Sequence, residues 1–189
     1  MSEHAEPIIP HLGLLALDIQ APFLKVIDAA DSLVARSAFA IEVAQLFGIP
    51  TLFTEQRPDL LQSTVNDLSA LLPDAPRVAK TGFSAFTEMA VEDWIQENEL
   101  HHILIAGLET PICVYQTALD AINRDVEVTL LSDAIGCRRP KDGEAALASL
   151  RIHGAHVIPS ESIFYSILRD SMHPLFKEFT ALVKKYSDK

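Results

Sequence analysis

Basic residues are scarce in this chain: 15 lysines and arginines stand against 26 aspartates and glutamates, for a formal net charge of -11 at pH 7. A surface so poor in positive charge cannot neutralise a run of phosphates, which argues against nucleic acid or anionic membrane as a main partner and points to a small-molecule substrate. Long apolar runs are missing too. No stretch approaches the roughly 20 residues of a membrane span, and the start, Met1-Ser2-Glu3-His4-Ala5-Glu6, is acidic where a secretory signal is basic. The expectation is a soluble, cytoplasmic protein. Cysteine is confined to Cys113 and Cys137. With no CxxC pair, these two are expected to stay reduced rather than to build a disulfide framework. The closest histidine pairs, His101-His102 and His153/His156, have no carboxylate or cysteine at ligand spacing, so no metal is expected.

Internal repeats, low-complexity tracts and long polar linkers are likewise missing, and 189 residues with 49% hydrophobic content suit a single domain spanning 1–189 with a sizeable core. Short apolar runs predict buried strands at Leu12 to Leu17, Thr51 to Thr54, Ile103 to Ala106, Glu127 to Leu131 and Ala155 to Ile158, with a short one at Arg77 to Ala79. Helical periodicity falls between them, over Asp31 to Phe47, Phe86 to Asn98 and Asp142 to His153. This alternation predicts an α/β fold, a three-layer, doubly wound (Rossmann-like) sandwich around a mostly parallel sheet of about six strands. Its ligand site should lie beyond the carboxyl ends of the strands. No GxGxxG or GxxxxGK[ST] follows any strand, so no nucleotide cofactor is expected and side chains must make the site.

Three titratable residues stand at those strand ends: Asp18 after the first, Lys80 after the third and Cys113 shortly after the fourth. Cys113 closes the heptapeptide Gly107-Leu108-Glu109-Thr110-Pro111-Ile112-Cys113, where an apolar strand stops and Val114, Ala118 and Ile122 begin a helical pattern. Backbone N–H groups and the helix dipole there are expected to bias the thiol toward thiolate, the nucleophilic form. A carboxylate can move protons for such a nucleophile, and an ammonium can hold both anions. Asp18 and Lys80 fit those roles.

These residues resemble the isochorismatase-like cysteine hydrolase family, also called the nicotinamidase-related amidohydrolases. The resemblance covers nearly the whole chain and rests on Asp18-Ile19-Gln20 with Phe23, on Lys80-Thr81-Gly82-Phe83-Ser84-Ala85-Phe86 and on Gly107 to Val114. It implies an Asp18-Lys80-Cys113 catalytic triad, a covalent acyl-enzyme on the cysteine and hydrolysis of a small amide-like C–N bond. It also implies a non-proline cis peptide at Leu108-Glu109 that helps aim the backbone amides of Glu109 and Cys113 at an oxyanion. Thr54-Glu55-Gln56 and the closing His173-Pro174-Leu175-Phe176-Lys177-Glu178 look most like the isochorismatase domain-containing proteins of undefined substrate. The chain departs from the nicotinamidases after the second strand. Where they carry an Asp-x-His pair that binds metal, this sequence runs Thr54-Glu55-Gln56-Arg57-Pro58-Asp59-Leu60.

Several readings stay open at this stage. Gln20, Phe23, Arg57, Phe83, Phe86 and Leu108 are candidates for the substrate pocket, with core packing the competing account for the apolar ones. Cys137 is either a structural cysteine or the partner of Cys113 in a thiol redox protein. Arg138, Arg139 and Lys141 form either a solvated loop or an acidic-substrate site. The amphipathic segment from His173 to Val183 either closes this core or faces another subunit of a homo-oligomer. An oligomeric interaction protein with little turnover is the alternative to an enzyme.

Overall fold

The computed structural model describes residues 8–187; the acidic start on which the localisation reading rested lies outside them. Six strands form one sheet: β1 (Leu12–Leu17), β2 (Thr51–Gln56), β3 (Arg77–Lys80), β4 (His102–Leu108), β5 (Glu127–Gly136) and β6 (His156–Ile158). All neighbours pair in parallel, in the order β3-β2-β1-β4-β5-β6. The helices are α1 (Ala21–Leu24), α2 (Ala30–Leu46), α3 (Pro58–Leu61), α4 (Asn66–Ser69), α5 (Met89–Glu97), α6 (Tyr115–Ile122), α7 (Pro140–Ile152), α8 (Ser160–Leu168) and α9 (Phe176–Tyr186). None of the described helices is long and apolar enough to cross a membrane.

The central strands are apolar throughout because both faces of a parallel sheet are covered. Along β1, Leu14 and Ala16 enter one core and Leu15 and Leu17 the other, the period-two alternation of a strand. The first core gathers Phe39 and Phe47 from α2 and its end, Phe164 from α8 and Phe179 from α9. Val91 and Trp94 of α5, Ala118 and Ala121 of α6 and Leu150 of α7 fill the second. The closing amphipathic helix therefore seals this chain's own core: Phe179 is fully buried, 5.6 Å from the Phe47 ring and 6.3 Å from Phe39.

Two differences from the expected elements have physical causes. β5 runs five residues past Leu131, because its register against β4 jumps from Ile105↔Leu130 to Gly107↔Ile135. Such a bulge interrupts the apolar alternation that marks a strand in sequence. The bulge also turns Asp133 toward α2 and α8, where its carboxylate accepts hydrogen bonds from Arg36 Nε at 2.8 Å and from Ser160 N at 2.7 Å. That carboxylate caps α8, a helix the sequence reading did not anticipate.

Strand order reverses direction between β1 and β4: the chain moves outward through β2 and β3, then returns to the other side of β1. At such a switch point the connections leave in opposite directions and open a crevice over the carboxyl ends of the two strands. Asp18 and the turn carrying Cys113 lie there.

Candidate active site

Close approach of β1 and β4 sets the geometry. Leu17 pairs with Gly107, and Gly107 sits at φ +136, where a Cβ would stand 2.0 Å from the Leu17 carbonyl oxygen. Only glycine fits there. The next residue on β1, Asp18, has φ 55, a left-handed conformation that aspartate tolerates better than most residues. Its amide donates to Thr54 O at 3.1 Å, which holds the kinked residue against β2. The peptide between Leu108 and Glu109 is cis. A single π-helical turn, Thr110–Val114, then leads into α6 and carries Cys113.

Lys80 arrives from farther away. β3 is two strands from β1, roughly 9–10 Å at the normal inter-strand spacing, and an extended lysine stem can cross that distance. Its ammonium lies 2.7 Å from Asp18 Oδ2, with both side chains almost wholly removed from solvent. It also donates to Gln56 Oε1 and to the carbonyls of Gly82 at 3.2 Å and Phe83 at 3.1 Å. The Lys80-Thr81-Gly82-Phe83-Ser84 segment curls around its own lysine. That curl needs Gly82, where a Cβ would meet Thr87 Oγ1 at 2.4 Å, and it ends where Ser84 Oγ accepts the Phe86 amide at 3.2 Å.

Asp18 is held from every side. Thr54 Oγ1 donates to Oδ1 at 2.8 Å, Lys80 pairs with Oδ2, and the Cys113 thiol is close enough to the same carboxylate to couple with it electrostatically. Burial raises the Asp18 carboxyl above the ordinary carboxylate range, while the Lys80 ammonium and the hydrogen bonds pull it back. Cys113 is 5% exposed, and burial pushes its thiol up to about 12, with the Asp18 carboxylate adding to the rise. Lys80 and a backbone hydrogen bond from Glu109 oppose it. The expected thiolate bias is thus corrected: desolvation outweighs the helix-end amides, and the resting sulfur keeps its proton, aimed at a carboxylate of raised basicity.

The sequence-predicted pocket residues divide. Phe23 is half-buried against the α2-side core and Phe83, within the Lys80 loop, is 56% exposed. Phe86 belongs instead to the second core, with the Arg124 guanidinium 5.0 Å over its ring. Leu108 is fully buried in the first core. Its position follows from parity, since alternate residues of β4 face α2. Gln20 is buried as well, its Oε1 taking the Gln56 amide at 2.8 Å and its Nε2 donating to the Gln56 carbonyl at 3.0 Å. It clamps the end of β2 rather than lining a pocket. Arg57 turns to solvent and pairs with Asp59 at 2.7 Å.

Thr54 and Gln56 are the site residues that sequence reasoning missed. Their signal was present: two polar side chains two positions apart in a wholly buried strand share one face, and a buried polar side chain demands a partner. Cys113 and Cys137 are both free thiols. Cys137 Sγ donates to Arg139 O at 3.3 Å and fills the space above Gly143. Arg138 Nε lies 3.5 Å from the buried Glu109 carboxylate, while Arg139 pairs with Asp142 at 3.0 Å. No group of three or more His, Cys, Asp and Glu side chains among the described residues is placed to hold a metal ion.

Comparison with known proteins agrees with this architecture. A family model described as the isochorismatase domain matches residues 13–162. Isochorismatase domain-containing protein 2 of Bos taurus is 36% identical over 184 residues, covering 95% of this chain and 87% of that protein. The structure of the MAR1 ribonuclease from Caenorhabditis elegans superposes with a TM-score of 0.88 at 30% identity, covering 93% of this chain and 92% of that one. The YcaC gene product of Escherichia coli, described as an octameric hydrolase of unknown specificity, shares the fold at a TM-score of 0.83 and 22% identity over 94% of each chain. A matched model spanning most of the chain, together with relatives of this similarity across nearly its full length, shows that the protein belongs to the isochorismatase family.

Proposed function

We propose that this protein is a cysteine-dependent hydrolase of a small-molecule, amide-like C–N bond, working through an acyl-enzyme on Cys113. Family membership supports a hydrolase. The observation that carries the finer reading is the convergence of three strand-end groups: Lys80 is 2.7 Å from Asp18, and the Cys113 thiol is coupled electrostatically to both.

In this mechanism Asp18 takes the thiol proton as Sγ attacks the carbonyl carbon, so no standing thiolate is needed. Negative charge develops on the carbonyl oxygen, to which the backbone amides of Glu109 and Cys113 donate hydrogen bonds. Asp18 returns its proton to the leaving nitrogen as the C–N bond breaks, leaving a thioester and a free amine. Water then attacks the thioester as Asp18 takes its proton, the C–S bond breaks, Asp18 passes the proton to Sγ, and the carboxylic acid product leaves the regenerated thiol. Lys80 keeps the carboxylate oriented through both steps, and Thr54 and Gln56 keep Asp18 and Lys80 in place. Phe23 and Phe83 supply apolar surface for the substrate. No cofactor enters this scheme.

Subunits related to the octameric YcaC protein suggest a homo-oligomer, which light scattering on the purified protein tests directly. RNA, the substrate class in the name of the Caenorhabditis elegans relative, is the poorer candidate here. A net charge of -11 repels polyphosphate, and the thiol is 5% exposed. The deciding experiment incubates wild type and Cys113→Ala with a panel of small amides and follows ammonia or amine release together with intact mass. Release accompanied by an acyl adduct on Cys113, and lost in the variant, is expected; turnover by Cys113→Ala would overturn the proposal.

A further inference from the structure

A second site lies at the opposite end of the sheet. Between the first residues of β1 and β4 and the carboxyl-terminal half of α8 is a cavity of about 390 Å³, within the roughly 300–1,000 Å³ common for small-molecule sites. Leu12, Leu104, Ile163 and Ile167 contribute apolar lining, and the exposed Arg169 and the half-buried His173 contribute polar lining.

Both residues carry hydrogen-bond donors. His173 Nδ1 accepts the Leu175 amide at 3.1 Å, which leaves the ring proton on Nε2 as a free donor. Arg169 makes no ion pair among the described residues. Its neighbour Asp170 is engaged elsewhere, accepting the Met172 amide at 2.8 Å, and His102, on the cavity wall, is occupied by Thr129 at 2.8 Å and Glu127 at 3.5 Å. Arg169 is also held in a conformation that its side chain does not favour. At φ 66 and ψ -42 it centres a tight turn closed by the Asp170 amide on Leu168 O at 2.8 Å. This γ-turn geometry is rare and strained for any residue with a Cβ. Glycine would form the turn more easily, so the guanidinium is there at a cost to the fold.

We propose that this cavity binds a small amphipathic carboxylate, its apolar part on Leu12, Leu104, Ile163 and Ile167 and its charge between Arg169 and His173. The site stands apart from Cys113, at the amino ends of strands whose carboxyl ends carry the triad, and it does not depend on the proposed chemistry.

Isothermal titration of the full chain with sodium octanoate and sodium benzoate, against octan-1-ol and octylamine, tests it. At least one carboxylate should bind saturably with a Kd below about 1 mM, and the neutral and cationic analogues should not. Arg169→Gly should weaken that binding at least about tenfold while leaving the melting temperature unchanged or higher, because it relieves the turn. Cys113→Ala should bind with the wild-type Kd. Failure of both carboxylates to bind, equal binding by octan-1-ol, or full affinity in Arg169→Gly would overturn the proposal. So would a change of sedimentation coefficient on Arg169→Gly, which would make the cavity a contact between copies.

Discussion

Replacing Lys80 with methionine keeps most of the apolar stem, one heavy atom shorter, and removes the ammonium, which tests the electrostatic contribution of the buried pair. In the native protein the ammonium is within 2.7 Å of Asp18 Oδ2 and serves three further acceptors, on Gln56, Gly82 and Phe83. Asp18 is 0% exposed, so water cannot take over. Breaking one partner out of a buried ion pair costs about 3–5 kcal/mol, because the remaining charge stays desolvated. The two loop carbonyls are only partly buried and can find water, so we expect a loss near 4 kcal/mol, or a fall in melting temperature of roughly 8–16 °C for a chain of this size. The sign with pH follows from the raised Asp18 carboxyl. Without the ammonium it rises further above its unfolded value, so its stabilising share is intact at acid pH and is lost as pH climbs through the folded pKa. The deficit should therefore be small near pH 4 and full near pH 8. Asp18→Asn combined with Lys80→Met removes both charges and should recover most of the loss. Urea titrations of the four proteins at both pH values measure all of this. A single-variant deficit below about 1 kcal/mol, a deficit independent of pH, or a double variant no better than Lys80→Met would refute the buried-pair reasoning.

Other expectations follow from the same geometry. With its thiol pushed up to about 12, Cys113 should be alkylated by iodoacetamide at a rate rising about tenfold per unit between roughly pH 7 and 9, and a plateau in that range would contradict the assignment. Asp18→Asn should speed that alkylation, because the carboxylate raises the thiol, yet abolish turnover, because the proton acceptor is gone; mass spectrometry and an amine-release assay separate the two effects. Gly107→Ala, with a Cβ 2.0 Å from the Leu17 carbonyl oxygen, should force β1 and β4 apart and yield little folded protein, which circular dichroism reports. Phe179→Ala, emptying a fully buried ring position against α2, should cost about 3–5 kcal/mol in urea denaturation while leaving alkylation of Cys113 unchanged.

The alternation of apolar strands and amphipathic helices was legible in the chain because both are local patterns, with periods of two and 3.6 residues. Asp18, Lys80 and Cys113 could be picked out because a doubly wound sheet turns strand ends into a shared address. The motif glycines were legible as well, although only the structure assigns them work: Gly107 admits the Leu17 carbonyl and Gly82 admits Thr87. What tertiary structure alone decided is the environment. Phe86 and Leu108 looked like pocket walls and pack in the two cores, Gln20 clamps β2, and Thr54 and Gln56 hold Asp18 and Lys80, which they do not neighbour in sequence. Cys113 is the sharpest case. Its place at the head of a helix argued for a thiolate, but desolvation is set by everything packed around the sulfur, and those atoms come from distant parts of the chain. A local pattern can therefore name a candidate nucleophile and the groups beside it, while its protonation state is a property of the folded whole.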